Sequence, residues 1–331
     1  MISESHPSTL DTLPGVYSLK TPSDIDVIIA SGSDATKFLQ GQLSCNLQNL
    51  APGRTLRGAL CNLKGRVIAD VRLLASDAGI VMQTSAGMGQ VIIDTLKKYQ
   101  VFFKVDLQLV SERFALLEVA ADRSRLPAGA LPLELPDELD ASAYLEGVHI
   151  TRLPDLKVSL AGHNTYGYAR FECLIDTSRL QPEIITAMLG AWLEPVDGDW
   201  WRLADIASGI AHVRPGQQEQ FTPQLLNYDI NGTIDFKKGC YTGQEVVARM
   251  YYRAEAKRRL YRGSLPEDQT LEQNGSKEQD LVAQYRHPDG ARDVLVVAET
   301  DDTKRPAWLT APETALTESP ATDNPVSPPQ S

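Results

Sequence analysis

Residues 236 to 249 read Phe236-Lys237-Lys238-Gly239-Cys240-Tyr241-Thr242-Gly243-Gln244-Glu245-Val246-Val247-Ala248-Arg249. A thiol stands beside two lysines and between two glycines, at the mouth of a stretch with helical spacing. Neighbouring cations and a helix N-terminus both raise the thiolate fraction, the form in which cysteine attacks or ligates. The same string also suits a tight structural turn, with glycines supplying backbone shape and Cys240 as a small filler. The residues alone leave both readings open.

Working outward, the segment is also the most basic part of an acidic chain. The 331 residues carry a formal charge of −11. From Lys237 to Arg262, eight basic residues face only Glu245 and Glu255. Broad binding to nucleic acid needs many cations to displace counterions, which the overall charge disfavours. A local basic strip on an acidic body suits a discrete anionic ligand or an acidic protein patch, or is simply a solvated face. Cys45, Cys61, Cys173 and Cys240 are widely separated, with no metal-ligand spacing, and read as free thiols. No stretch has the length of a membrane-spanning helix or the pattern of a secretory leader, so the expectation is a cytoplasmic protein without a membrane partner.

Along the chain, residues 1–22 contain Pro7, Pro14 and Pro22 and read as a loose lead-in. Asp24 to Ala30 is an apolar run that suits a buried strand, and Ser33-Asp34 opens a helix carrying Phe38 and Leu39 and ending at Gly41. Leu56 to Leu74 reads as a hairpin turning at Leu63-Lys64-Gly65, followed by a strand at Ile80 and a helix from Met88 to Tyr99. Val101–Val110 and Phe114–Val119 return to strand, and residues 122–142 look like a surface connection. Helices are expected over Pro182–Leu193 and Trp200–Ile210, then a long loop to Phe236. Three apolar runs after Arg259 suggest a small β-barrel, and the polar, proline-rich stretch 311–331 a disordered tail. Hairpins between helices indicate an α+β fold rather than a doubly wound parallel sheet, and neither common nucleotide-binding glycine motif is present.

The string around Cys240 closely resembles the signature of the YgfZ family, folate-binding relatives of the glycine-cleavage T-protein. Further matching segments are Phe38-Leu39-Gln40-Gly41-Gln42, Cys61-Asn62-Leu63-Lys64-Gly65-Arg66-Val67, Leu96 to Lys104 and Phe221-Thr222-Pro223-Gln224. They run in family order from about residue 24 to 300. The resemblance implies an aminomethyltransferase-like folate-binding fold: two interlocked α+β lobes over residues 23–255, then a C-terminal β-barrel over 256–310. It also implies binding of tetrahydrofolate or a derivative. The partners it implies are iron-sulfur client or assembly proteins, including enzymes that thiomethylate tRNA, with no direct contact to nucleic acid. Classical turnover is not implied. The alternative is a folate-dependent aminomethyl-type transferase.

Site residues follow from that comparison. Cys240 is the functional thiol, and Lys238 would hold a folate carboxylate or lower the thiol pKa. Tyr241 and Arg249 are carried over with the motif, although Arg249 also stands four residues from Glu245, a helical pairing distance. Trp201 aligns with the aromatic that precedes the folate-contacting helix, which would place it against the ligand, since flat heterocycles suit aromatic faces; its other reading is a core tryptophan. Two departures stand out. Where the T-protein pattern has Leu-Arg-Leu-Glu-Ala-Gly, this chain has Asp205-Ile206-Ala207-Ser208-Gly209, so Ala207 replaces the carboxylate that reads the pterin. Either Asp205 substitutes from the previous turn, or folate is held more weakly or not at all. The paired aspartates that T-proteins carry after the first-hairpin glycine are reduced here to Ala69-Asp70, leaving Asp70 as the single acid/base candidate. No metal site is expected, and His163 and His212 read as structural or surface residues.

Overall fold

The structure, a computed structural model, describes residues 15–20, 24–122, 124, 135–159, 165–196, 198–253 and 255–312. Two sheets, antiparallel but for one parallel pair between strands Gly15–Lys20 and Glu194–Pro195, form the body. The first has five strands in the order β3-β4-β5-β2-β6: β2 (Ile25–Ser31), β3 (Leu56–Cys61), β4 (Val67–Ser76), β5 (Gly79–Ser85) and β6 (Asp106–Leu109). The second has six, in the order β11-β1-β7-β10-β9-β8. It comprises β1 (Gly15–Lys20), β7 (Phe114–Ala121), β8 (Ser142–Leu145), β9 (Val148–Ser159), β10 (Thr165–Asp176) and β11 (Glu194–Pro195). The helices are α1 (Ala35–Gln40), α2 (Gly89–Gln100), α3 (Pro182–Leu189), α4 (Gly198–Ser208) and α5 (Gln244–Arg253).

The chain interlocks the two sheets. β1 precedes the first sheet in sequence yet pairs with β7 in the second. After α4 the chain returns to the first sheet, where Ala211, Val213, Phe221, Leu226 and Val247 join the core of Ile28, Phe38, Leu60 and Leu73. Burying these side chains gives roughly 1.5–3 kcal/mol each, which fixes the return segment on the sheet. The sequence-level α+β fold is therefore the observed one.

Three elements differ from their sequence reading. Residues 15–20, expected in a loose lead-in, form β1 because Val16 is buried and the backbone pairs with both β7 and β11. The strand expected from Val101 shrinks to β6, because Phe103 turns in to pack on Phe38 and leaves Val101 and Phe102 facing solvent. The C-terminal barrel is instead an open three-stranded sheet, β12 (Arg258–Leu265), β14 (Arg292–Glu299) and β13 (Leu281–Arg286) in that order. Three strands of six to eight residues cannot close on themselves. Leu260, Val282, Leu295 and Val297 pack toward the main core, while Tyr261, Val294 and Val296 pack beneath Leu271 and Leu309. The tail expected at 311–331 and His163 lie, but for residues 311 and 312, outside the described residues. No helix among the described residues is long and apolar enough to cross a membrane.

Candidate functional site: a charged cleft and a separate exposed thiol

A cleft of about 470 Å³ lies between the two sheets, walled by β1, β3, β4, β5, β7, β10, α4 and the segment from Ile210 to Pro215. That volume falls within the roughly 300–1,000 Å³ typical of small-molecule sites. Asp70 reaches it from the middle of β4. Its Oδ1 accepts the Val213 backbone N–H at 2.7 Å, and its Oδ2 faces His212 Nδ1 at 2.8 Å. Because an ionised carboxylate only accepts, Nδ1 carries the proton and donates to Asp70. The ring's other nitrogen, Nε2, lies 3.9 Å from Asp205 Oδ2.

Asp205 comes from α4, whose inner face buries Trp201, Ala204 and Ser208. Behind it stands Arg170 of β10, fully enclosed. Its Nη2 donates to Asp205 Oδ1 at 2.5 Å and its Nη1 to Ser208 Oγ at 3.2 Å, while its guanidinium lies 4.4 Å over the Trp201 ring. Burial would raise the Asp205 pKa, but the charges of Arg170 and His212 outweigh it and hold the carboxyl below its usual range. Burial would likewise lower the His212 pKa, yet the Asp70 and Asp205 carboxylates outweigh it, so the imidazole is raised and favours its charged form. On another wall, Arg72 bonds Asp140 and Glu172 at 3.0 and 3.1 Å, tying β4 to the 135–141 segment and β10. Glu118 of β7 meets Lys20 at 2.5 Å, but burial pushes its pKa well up.

The cysteine motif occupies a different surface. Cys240 is exposed, whereas Cys45, Cys61 and Cys173 are buried and their thiols are pushed up to about 12 by burial. The loop is fixed from below. Lys238 turns inward and donates from Nζ to the carbonyls of Gln40 and Leu43 at 2.7 and 2.5 Å, and burial lowers its ammonium pKa to about 8. Gly243 adopts φ +83°, and a Cβ there would stand 2.3 Å from the Asn62 carbonyl oxygen. Only glycine therefore lets the motif lie against the β3–β4 turn.

Of the residues singled out in the sequence, Asp70 and Asp205 share the cleft. Cys240, Lys238, Tyr241 and Arg249 are not among its lining residues. Lys238 reaches neither the cleft nor a hydrogen bond to Cys240, because its charge is engaged on the end of α1. Trp201 sits in the core with Val16, Leu153 and Tyr168, is not among the residues lining the cleft, and lies beneath the Arg170 guanidinium. Tyr241 is buried, with its hydroxyl making no hydrogen bond. Arg249 is exposed on α5, and no ion pair joins it to Glu245 among the described residues. His212, read as structural, is a cleft residue, and so is Arg72. Their partners lie 142 and 68 positions away, so spacing carried no signal for them. No group of three or more metal-ligating side chains occurs among the described residues.

No family model matches the chain. Among curated proteins it is similar to the "tRNA-modifying protein YgfZ" of Klebsiella pneumoniae (strain 342), 30% identical over 261 residues, covering 77% of this chain and 73% of that protein. The protein of the same name from Escherichia coli (strain K12 / DH10B) is 29% identical over 296 residues, 86% of each chain. Among solved structures, the glycine cleavage system aminomethyltransferase T from Bartonella henselae superposes with a TM-score of 0.64 at 15% identity. That match covers 88% of this chain and 80% of the other, and it identifies the fold alone. With an intact cysteine motif, interlocked sheets of the aminomethyltransferase type and a 30%-identical relative matched over most of its length, this chain belongs to the YgfZ family.

Proposed function

We propose that this protein binds tetrahydrofolate or a derivative in the cleft. In the cytoplasm it would support assembly or repair of iron-sulfur clusters in client enzymes, including those that thiomethylate tRNA, with Cys240 as its working thiol. The observation that carries this reading is the contrast among the cysteines. Cys240 alone of the four is exposed, at the surface of a loop that Lys238 and Gly243 hold rigid. A thiol kept for packing has no reason to face solvent, whereas one that meets a partner protein must. The relatives' name, tRNA-modifying protein, agrees with clients in tRNA modification.

The cleft suits a folate. Asp205 offers a half-buried acceptor two residues before Ala207 on α4. Arg202 and Arg214 stand together on the rim, and burial and Arg202 lower the Arg214 pKa. An anionic tail between two such cations relieves their repulsion. Folate when bound would supply or protect a one-carbon unit; the chain's own residues bind and orient it. The test is Cys240→Ser in cells lacking the native protein. Client activity should fall to the level of the deletion while folate binding by the purified variant is unchanged. Full client activity in the variant would remove Cys240 from the mechanism.

A second reading, a folate-dependent aminomethyl-type transferase, draws support from the Asp70–His212 pair. Both Asp70 oxygens are already engaged, so proton handling in that case falls to His212. Formation of methylenetetrahydrofolate from candidate aminomethyl donors, abolished by Asp70→Asn, would favour it; no turnover in protein that binds folate would dismiss it.

A further inference from the structure

His212 Nε2 and Asp205 Oδ2 face each other across 3.9 Å on the cleft wall, too far apart to hydrogen-bond. Each is locked from behind. Asp70 takes the imidazole's Nδ1–H, and Arg170 takes the other Asp205 oxygen. Nε2 makes no hydrogen bond to any described residue, although more than a third of the side chain is exposed in the cleft. One atom of the pair only accepts. The other, in the imidazolium form, only donates. A fixed acceptor beside a fixed donor at this spacing complements a group presenting N–H next to C=O on one edge.

We infer that Asp205 and His212 together read a cis-amide (lactam) edge of a bound heterocycle, with Asp205 accepting from its N–H and protonated His212 donating to its carbonyl oxygen. The inference rests on the folate reading above and names how the chain replaces the carboxylate lost at Ala207. It gives the cleft a specificity that a lone carboxylate lacks. A carboxylate alone also welcomes an amidine, which presents donors only; the imidazolium repels that second donor and its charge. Removing one partner from such a pair leaves a desolvated polar group unsatisfied, which is why discrimination of this kind is steep.

The pairing also makes binding depend on pH. His212 donates only while charged, and its pKa is raised by Asp70 and Asp205 against the opposing effects of burial and Arg214. Affinity for a lactam is therefore greatest below that raised pKa and falls as pH rises through it. The other groups around the ring are Tyr228, whose hydroxyl donates to the Ala211 carbonyl, and Lys20 and Glu118 on the far side of Asp205. Burial raises the Glu118 pKa, so it contributes a titration of its own. That contribution persists when His212 is replaced, so the difference between wild type and variant isolates the imidazole.

The experiment is calorimetric titration of the full chain with tetrahydrofolate and with its 4-amino analogue, in which the lactam C=O becomes C–NH2, from about pH 6 to about pH 9. Wild type should prefer the lactam by about tenfold or more, with an affinity that falls about tenfold per pH unit above the imidazolium pKa. His212→Gln keeps a donor that does not titrate, and should bind the lactam with only the residual pH dependence that Glu118 contributes, without the tenfold fall per pH unit. Asp70→Asn retains an acceptor for the Val213 N–H and should move the break to lower pH. Equal affinity for both ligands, a pH-independent wild type, or an unchanged slope in His212→Gln would each overturn the pairing while leaving folate binding intact. If neither ligand binds wild type at any pH, the folate reading fails and this pairing with it.

Discussion

Arg170 carries more of the site than any residue that touches the cleft directly. It is fully enclosed, holds Asp205 by an ion pair, caps Ser208 and the Ala204 carbonyl, and stacks on Trp201. A buried pair contributes little over well-packed apolar residues, but removing one member strands the other at a cost of about 3–5 kcal/mol. Arg170→Met should therefore lower the unfolding free energy by about that amount in urea denaturation. A loss under about 1 kcal/mol would mean that water reaches Asp205 and that its fixed orientation is an overstatement. This arrangement also revises what Trp201 does. The aromatic that aligns beside the ligand in the family comparison here backs the guanidinium that aims the carboxylate. Asp205, two residues before Ala207 on α4, was visible in the sequence and lines the cleft. Sequence offered no means of seeing Arg170 or His212, whose partners come from other strands.

Among the elements, the motif loop and the β3–β4 turn behave as one unit. Gly65 has φ +68°, and a Cβ there would press on Val246 at 3.0 Å, while Gly243 faces the Asn62 carbonyl from the other side. Thr242 N–H donates to the Gly41 carbonyl at 3.1 Å, and Lys238 clamps the same end of α1. Gly243→Ala combines a left-handed backbone with a backbone clash, so it should cost about 1–3 kcal/mol and expose the motif to proteolysis before the rest of the chain unfolds. An unaltered denaturation midpoint and cleavage pattern would contradict the clamp. Hairpin and motif were both readable from sequence, since a turn glycine and a helix start have local signatures. Their mutual contact was not, because it spans about 180 residues and leaves no periodic trace. The C-terminal sheet shows the opposite failure. Its three apolar runs were visible, but whether three strands close or stay open depends on strand number and on what covers each face. Three strands are too few to close, and Asn227 exchanges two hydrogen bonds with the Leu260 backbone that dock β12 on the body.

Seen whole, the molecule keeps the two candidate sites apart in space. A charged cleft lies between the interlocked sheets, and an exposed thiol stands on a braced loop outside its lining. The α+β class and the order of elements were legible because hydrophobic alternation and turn residues are local. The interlocking was not, since β1 joins the second sheet by pairing with β7, about a hundred residues on. The overall negative charge fits the same division. It leaves anion recognition to a few placed arginines and the short basic stretch, rather than to a broad surface.

The proposed folate would occupy the cleft and not the motif loop. Hydrogen exchange of the full chain with and without saturating tetrahydrofolate tests it directly. Backbone amides of residues 70–72, 83–85 and 210–214 should exchange more slowly in the presence of ligand, with those of 239–243 unchanged. Protection confined to 62–65 and 239–243, or no protection anywhere, would contradict it.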